Sequence, residues 1–207
     1  VINQKIFWFD VETTGLDPNK QEIVKLAFEV EIDQKLKEHD CICIRPENIL
    51  AIMPQALETN KLTMDQIMKF PPATEGYKKI IKTLDHYVDK YDKTDKLILA
   101  GYNVNFDIGF FRSFFTRQNN SYFGSYFFAP PLDVYSLVSL NLRKGLRLNN
   151  YRLETVCDYF GIKIIAHDPE SDISATRELF KIFLQMERDC ITPQEYRKAH
   201  VDGGQKI

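Results

Sequence analysis

The sequence predicts one α/β domain built on a mixed five-stranded sheet flanked by helices, and three observations carry that prediction. An apolar, aromatic run, KIFWFDV at 5–11, stops at the turn signal Thr13-Thr14-Gly15, the pattern of a buried central strand. Two more strand-like segments, 23–32 and 37–44, follow with only short turns between, as in an antiparallel meander. Beyond residue 74, helical periodicity alternates with short apolar runs, an α/β order that implies a mixed sheet.

Each element has its own signature. In 37–44, Cys41 and Cys43 alternate with Ile42 and Ile44, so the two thiols share one face of a strand. Residues 45–73 carry Pro46, Pro54, Pro71 and Pro72 and read as loop with helical turns near 54–58 and 63–69. The segment 74–91 places Tyr77, Ile80, Ile81, Leu84 and Val88 on one helical stripe. A strand over 96–101 leads to an aromatic-rich helix over 106–118, then a strand near 126–129. Asp133 is a natural N-cap for a helix to 141, and Gly161 a natural left-handed C-cap for one over 152–160. A long helix over 171–188 carries Ile173, Leu179, Phe180, Ile182, Phe183 and Met186 on its apolar face. The expected organisation is one domain over 1–190 and a tail or linker over 191–207.

At 207 residues, 44% hydrophobic and 13% aromatic, the chain is long enough to bury one good core, which excludes disorder for its bulk. A net charge of −2 argues against a strongly basic nucleic-acid wrapper, so any polyanion must be held locally. Arg143, Lys144, Arg147 and Arg152 form one such local cluster, with a solvated loop face as the rival reading. Cys41, Cys43, Cys157 and Cys190 show no paired spacing; Cys41 and Cys43 read as small core hydrophobes, with zinc as the rival, and reduced thiols point to a cytoplasmic setting. No apolar run approaches the ~18 residues of a membrane span, so no membrane partner is expected. A chain that starts at Val1 rather than Met suggests a domain of something longer.

Three fragments set a carboxylate at the edge of an apolar segment, where charge is costly: Asp10-Val11-Glu12, Asn103-Val104-Asn105-Phe106-Asp107, and His167 through Asp172. Two apart on a strand, Asp10 and Glu12 face the same side, about 6.6 Å apart along the chain. Asp107 and Asp172 fall in first turns of predicted helices, whose positive pole favours the ionised form. Four such oxygen donors suit one or two hard divalent cations, Mg2+ or Mn2+. His167, in the loop before the last helix, adds a group able to take a proton near neutral pH. Singly, each fragment has a plainer explanation: a salt-bridged strand edge, a helix N-terminal acid, a surface histidine. Together and in this order they point to a metal-assisted hydrolase.

DVETTGLDP at 10–18, GYNVNFD at 101–107 and H-x-x-x-x-D at 167–172 closely resemble the three motifs of the DnaQ-like DEDDh 3′–5′ exonucleases, and RLETVCDYFGI at 152–162 extends the likeness to about residue 188. The resemblance implies a ribonuclease H-like fold, two divalent cations on Asp10, Glu12, Asp107 and Asp172, and His167 as general base. It also implies Thr13 near the terminal 3′-hydroxyl, Leu16 against the terminal base, and Asn103 and Phe106 shaping the same pocket. Many relatives have His-Gly where this chain has Asn60-Lys61. The aromatic stretch 122–128 has no counterpart; a buried strand with its approach loop is the expected reading, with base stacking as the rival.

The function expected is metal-dependent 3′–5′ exonucleolytic release of nucleoside monophosphates, on single-stranded or mismatched DNA 3′ ends, of proofreading or repair type. RNA 3′-end trimming or oligoribonucleotide degradation is the alternative within that chemistry. A non-catalytic module gripping 3′ ends or a polymerase is the alternative outside it. Nucleic acid 3′ ends are thus the expected partner, and a DNA polymerase is a candidate one.

Overall fold

The computed structural model of the protein describes residues 4–165 and 168–202. Its sheet is assembled from β1 (Lys5–Thr13), β2 (Ile23–Ile32), β3 (Lys35–Cys43), β4 (Ile98–Gly101) and β5 (Leu132–Asp133), in spatial order β3-β2-β1-β4-β5. The first three pair antiparallel, while β4 joins β1, and β5 joins β4, in parallel. The most apolar strand therefore sits at the centre, as its composition requires.

Strand alternation divides the core. Phe7, Phe9 and Val11 point to one face, which α3 (Ala73–Tyr87) and α4 (Asn105–Arg117) cover, with Phe28, Phe111, Phe115 and Leu84 among the buried partners. Phe7 stacks on Phe28 at 5.0 Å and on Phe111 at 6.1 Å. Ile6 and Trp8 point to the opposite face, beneath α6 (Val134–Arg143), α7 (Leu153–Phe160) and α8 (Pro169–Arg188). Trp8 meets Phe180 of α8 at 5.4 Å between centroids. By the same period of two, Asp10 and Glu12 extend the Trp8 row toward α8.

Several expected boundaries move. The stretch near 126–129 is not a strand: Phe123–Tyr126 forms the short helix α5, Phe127 makes only an isolated bridge to Leu97, and the fifth strand is Leu132–Asp133. Phe123, Tyr126 and Phe127 are buried all the same, because the helical turn packs their rings onto Phe111 and Phe115. The helix expected to reach 91 ends at Tyr87, since Val88 turns extended and enters the core. The proline-rich connection contains α1 (Pro54–Thr59) and α2 (Met64–Ile67), the latter closed by a capping box from Thr63 to Gln66. Within the expected tail, α9 (Pro193–His200) buries Tyr196 against Phe160, and Arg197 donates to the Tyr159 carbonyl at 2.5 Å. The expected caps form: Asp133 accepts from the Tyr135 N–H, and Gly161 is left-handed at φ 75°.

One ion-pair group fixes α8 on the sheet. Arg177 lies across β2, its Nε 2.7 Å from Glu29 and its Nη1 3.6 Å from Glu31. All three side chains are largely withdrawn from water, so neither carboxylate tolerates loss of the arginine. Arg177→Met should cost about 3 kcal/mol of unfolding free energy. Urea denaturation of the variant checks this, and a loss below about 0.5 kcal/mol would contradict the assigned role.

Candidate active site

Asp10 and Glu12 occupy the last turns of the pleat in β1, opposite Ala27 and Lys25 of β2. A register shift between Glu12 and Thr13 ends the regular ladder there, so the strand delivers both carboxylates at a sheet end. Asp107 stands in the first turn of α4, almost wholly buried, and its Oδ1 accepts the Val11 N–H at 3.1 Å. That bond ties the helix start directly to the strand segment between the two acids. Asp172 lies in the first turn of α8 and lines one small cavity with Asp10, Trp8 and Thr176.

The four acids are close enough to act on one another. Burial, then the charge of Glu12, pushes the Asp10 carboxyl up to about 7. Burial, then Asp172, raises Glu12 to about 7, with Lys25 opposing and Asp168 adding to the rise. Burial and then Asp10 hold Asp107 well above the usual carboxylate range, against the lowering effect of the Val11 N–H. This is a site with an excess of negative charge. Its donors are all hard oxygens, the set that Mg2+ or Mn2+ prefers, and the raised values measure how much a cation would relieve. Among the described residues, no three His, Cys, Asp or Glu side chains are close enough together to form a metal-holding group.

Around the acids the chain makes a lip. Thr13 is buried, its hydroxyl donating to the Gly15 carbonyl at 2.6 Å, and Leu16 beyond the turn is 75% exposed. A Cβ on Gly15 would fall 2.5 Å from Gln21 and 2.8 Å from the Met53 sulfur, so a larger residue would have to displace both side chains. Phe106 is exposed on the first turn of α4, its ring 5.0 Å from Phe110. Asn103 is exposed at φ 58°, a conformation held by its N–H donating to Asp133 at 2.9 Å. His167 lies outside the described residues, and nothing structural is assigned to it.

Three further contributors carry no motif. Lys25 faces Glu12 across the β1–β2 ladder, as strand pairing alone could have indicated. Asp168 caps α8 through the Ser171 N–H at 3.2 Å while its charge reaches Glu12. Asn60 is buried and donates from Nδ2 to the Thr13 carbonyl at 2.9 Å, clamping the turn that follows Glu12. Its neighbour Lys61 is left-handed at φ 54°, a conformation that glycine adopts more readily than a residue with a Cβ.

Raised carboxyl values make the metal-free protein less stable at high pH. The folded state binds protons that the unfolded state has released, so stability falls as pH rises from about 4 to about 7. Above that window the penalty is fully present. Asp10→Asn should therefore be about 2 kcal/mol more stable than the parent at pH 8 in chelator, with the gap closing by pH 4. Urea midpoints across pH 4–8 check this, and a gap independent of pH would contradict it.

Comparison with known proteins places this geometry in a family. The exonuclease family model RNase_T matches residues 7–180. The PolC-type DNA polymerase III of Caldanaerobacter subterraneus subsp. tengcongensis is 26% identical over 176 residues, which is 83% of this chain and 11% of the polymerase. Exonuclease I of Methylocaldum szegediense superposes with a TM-score of 0.71 at 20% identity, over 89% of this chain and 41% of that one. The zinc-bound complex of E. coli Exonuclease I with single-stranded DNA gives 0.71 at 20% identity, over 95% and 43%. The chain thus spans a small part of the polymerase and about two fifths of the solved relatives, whose shared fold is the ribonuclease H-like sheet described above. On the match of 7–180, the chain belongs to the DnaQ-like exonuclease family.

Proposed function

We propose that this chain is a metal-dependent 3′–5′ exonuclease that releases nucleoside monophosphates from single-stranded or mismatched DNA 3′ ends. The observation that carries the reading is the convergence of Asp10, Glu12, Asp107 and Asp172, three of which have raised pKa values attributable to burial and one another's charge. A purely structural role would hardly retain four mutually repelling acids at the end of a central strand. Asp10, Glu12, Asp107 and Asp172 would hold two divalent cations, Mg2+ or Mn2+, whose chemistry is to acidify water and stabilise a leaving alkoxide.

The remaining work belongs to side chains of this chain. Leu16 and Phe106, both exposed beside the acids, offer apolar surface to the terminal base and its sugar. Thr13, on the turn that Asn60 clamps, is set to meet the 3′-hydroxyl, while Asn103, on its left-handed backbone, brings an amide to the same pocket. His167 is the residue to accept the proton of the attacking water. DNA as the substrate is supported by two of the relatives, one a PolC-type DNA polymerase and one solved with single-stranded DNA. The polymerase relative also supports a DNA polymerase as partner. Cytoplasmic action is the reading of the free cysteines, with no helix among the described residues long and apolar enough to cross a membrane.

Asp172→Asn should lower kcat on a 3′-labelled single strand in Mg2+ by at least about 100-fold, the upper end of what loss of a mere outer-shell partner costs a metal site. Its thermal midpoint should not fall. His167→Gln should reduce turnover much more than Mn2+ affinity. An Asp172→Asn protein that digests the strand at the parent rate would overturn the assignment.

A further inference from the structure

Beside the acids, and continuing past Asn103 away from Leu16, an open groove of about 570 Å³ runs outward from Asp172 between the end of β4, the start of α6 and the loop before α7. Its walls are Tyr102, Asn103, Tyr135, Tyr151 and Arg152, with Glu154 at the side. The groove is built rather than incidental. One carboxylate oxygen of Asp133 accepts both the Asn103 N–H at 2.9 Å and the Tyr135 N–H at 3.1 Å, locking the two walls in register. The Tyr102 hydroxyl donates to the Tyr151 carbonyl at 2.5 Å and so anchors the third wall. Tyr102 supports the Tyr135 ring edge-on at 5.4 Å, leaving Tyr135 39% exposed on the open side.

The charges sort in the same way. Of the four basic residues in this region, Lys144 pairs with Glu187 at 2.5 Å, Arg147 donates to the Leu142 and Leu146 carbonyls, and Arg143, at the far end of α6, is not part of the groove lining. Arg152 is exposed, and its guanidinium has no hydrogen-bond or ion-pair partner among the described residues, although it lines the groove. A rigidly backed aromatic face next to an uncommitted guanidinium is the chemistry that recognises an unstacked base and its phosphate.

We infer that this groove is a second-nucleotide subsite: the base next to the 3′-terminal one stacks on Tyr135 and its backbone phosphate meets Arg152. The inference rests on the exonuclease reading and sharpens it, because a paired, stacked penultimate base cannot offer its face to Tyr135. The acceptable substrate is then a strand unpaired over at least its last two nucleotides.

The test compares a fluorescent single strand with the same strand carrying an abasic sugar second from its 3′ end. Affinity is read by anisotropy on the full chain in chelator, and KM in Mg2+. For the parent protein, loss of that base should weaken binding and raise KM by roughly tenfold. In Tyr135→Ala the difference between the two strands should collapse, and in Tyr135→Phe it should persist. Arg152→Ala should flatten the dependence of log Kd on log salt by about 0.7 for each phosphate that the arginine neutralises in the parent. Equal discrimination by parent and Tyr135→Ala, or an unchanged salt slope in Arg152→Ala, overturns the subsite. Binding needs no turnover, so the two readings fail separately: discrimination without hydrolysis overturns the exonuclease reading alone, and hydrolysis without discrimination overturns the subsite alone.

Discussion

The repulsion among four carboxylates at one end of the central strand is the constraint around which this molecule is arranged. Asp10 and Glu12 are held together by strand geometry, and neither can turn away without reversing the pleat that buries Trp8 and Ile6. Asp107 is brought against them by a helix whose first turn is bonded to the Val11 N–H. Asp172 arrives on a third element, α8, which packs on the face of the sheet opposite α4. The raised values of Asp10, Glu12 and Asp107 express the cost of that arrangement, which the rest of the fold must sustain.

It is sustained by packing on both faces. On one, the stacked rings of Phe7, Phe28 and Phe111 fix α4 and hence Asp107. On the other, Trp8 against Phe180 and Arg177 between Glu29 and Glu31 fix α8 and hence Asp172. The turn after Glu12 has its own supports in Asn60, the Met53 N–H and the close packing allowed by Gly15. Each carboxylate is thus placed by contacts that do not themselves touch a substrate, the arrangement expected where geometry must survive strong local repulsion.

Much of this was legible in the sequence because it depends on local periodicity. The central strand, the meander and the long helices follow from apolar spacing, and the four acids stand out as charges at the ends of apolar runs. The stretch 122–128 misled because aromatic residues favour strands intrinsically, whereas here a single helical turn lets Phe123, Tyr126 and Phe127 reach the same ring cluster. The true fifth strand, two residues long, has no period to detect. The amide of Asn60, the cross-strand Lys25 and the carboxylate of Asp168 act on the site through tertiary proximity. The groove behind Tyr135 likewise exists only once Asp133 joins segments thirty residues apart.

Side-chain carboxyl NMR of the metal-free protein, titrated from pH 4 to 9, tests the central arrangement most directly. If the acids share one buried site, the Asp10 and Glu12 resonances titrate near pH 7, and replacing Asp172 by Asn moves the Glu12 midpoint downward. Midpoints near 4 for both, indifferent to Asp172, would mean that the carboxylates stand apart in water and that the shared site does not exist.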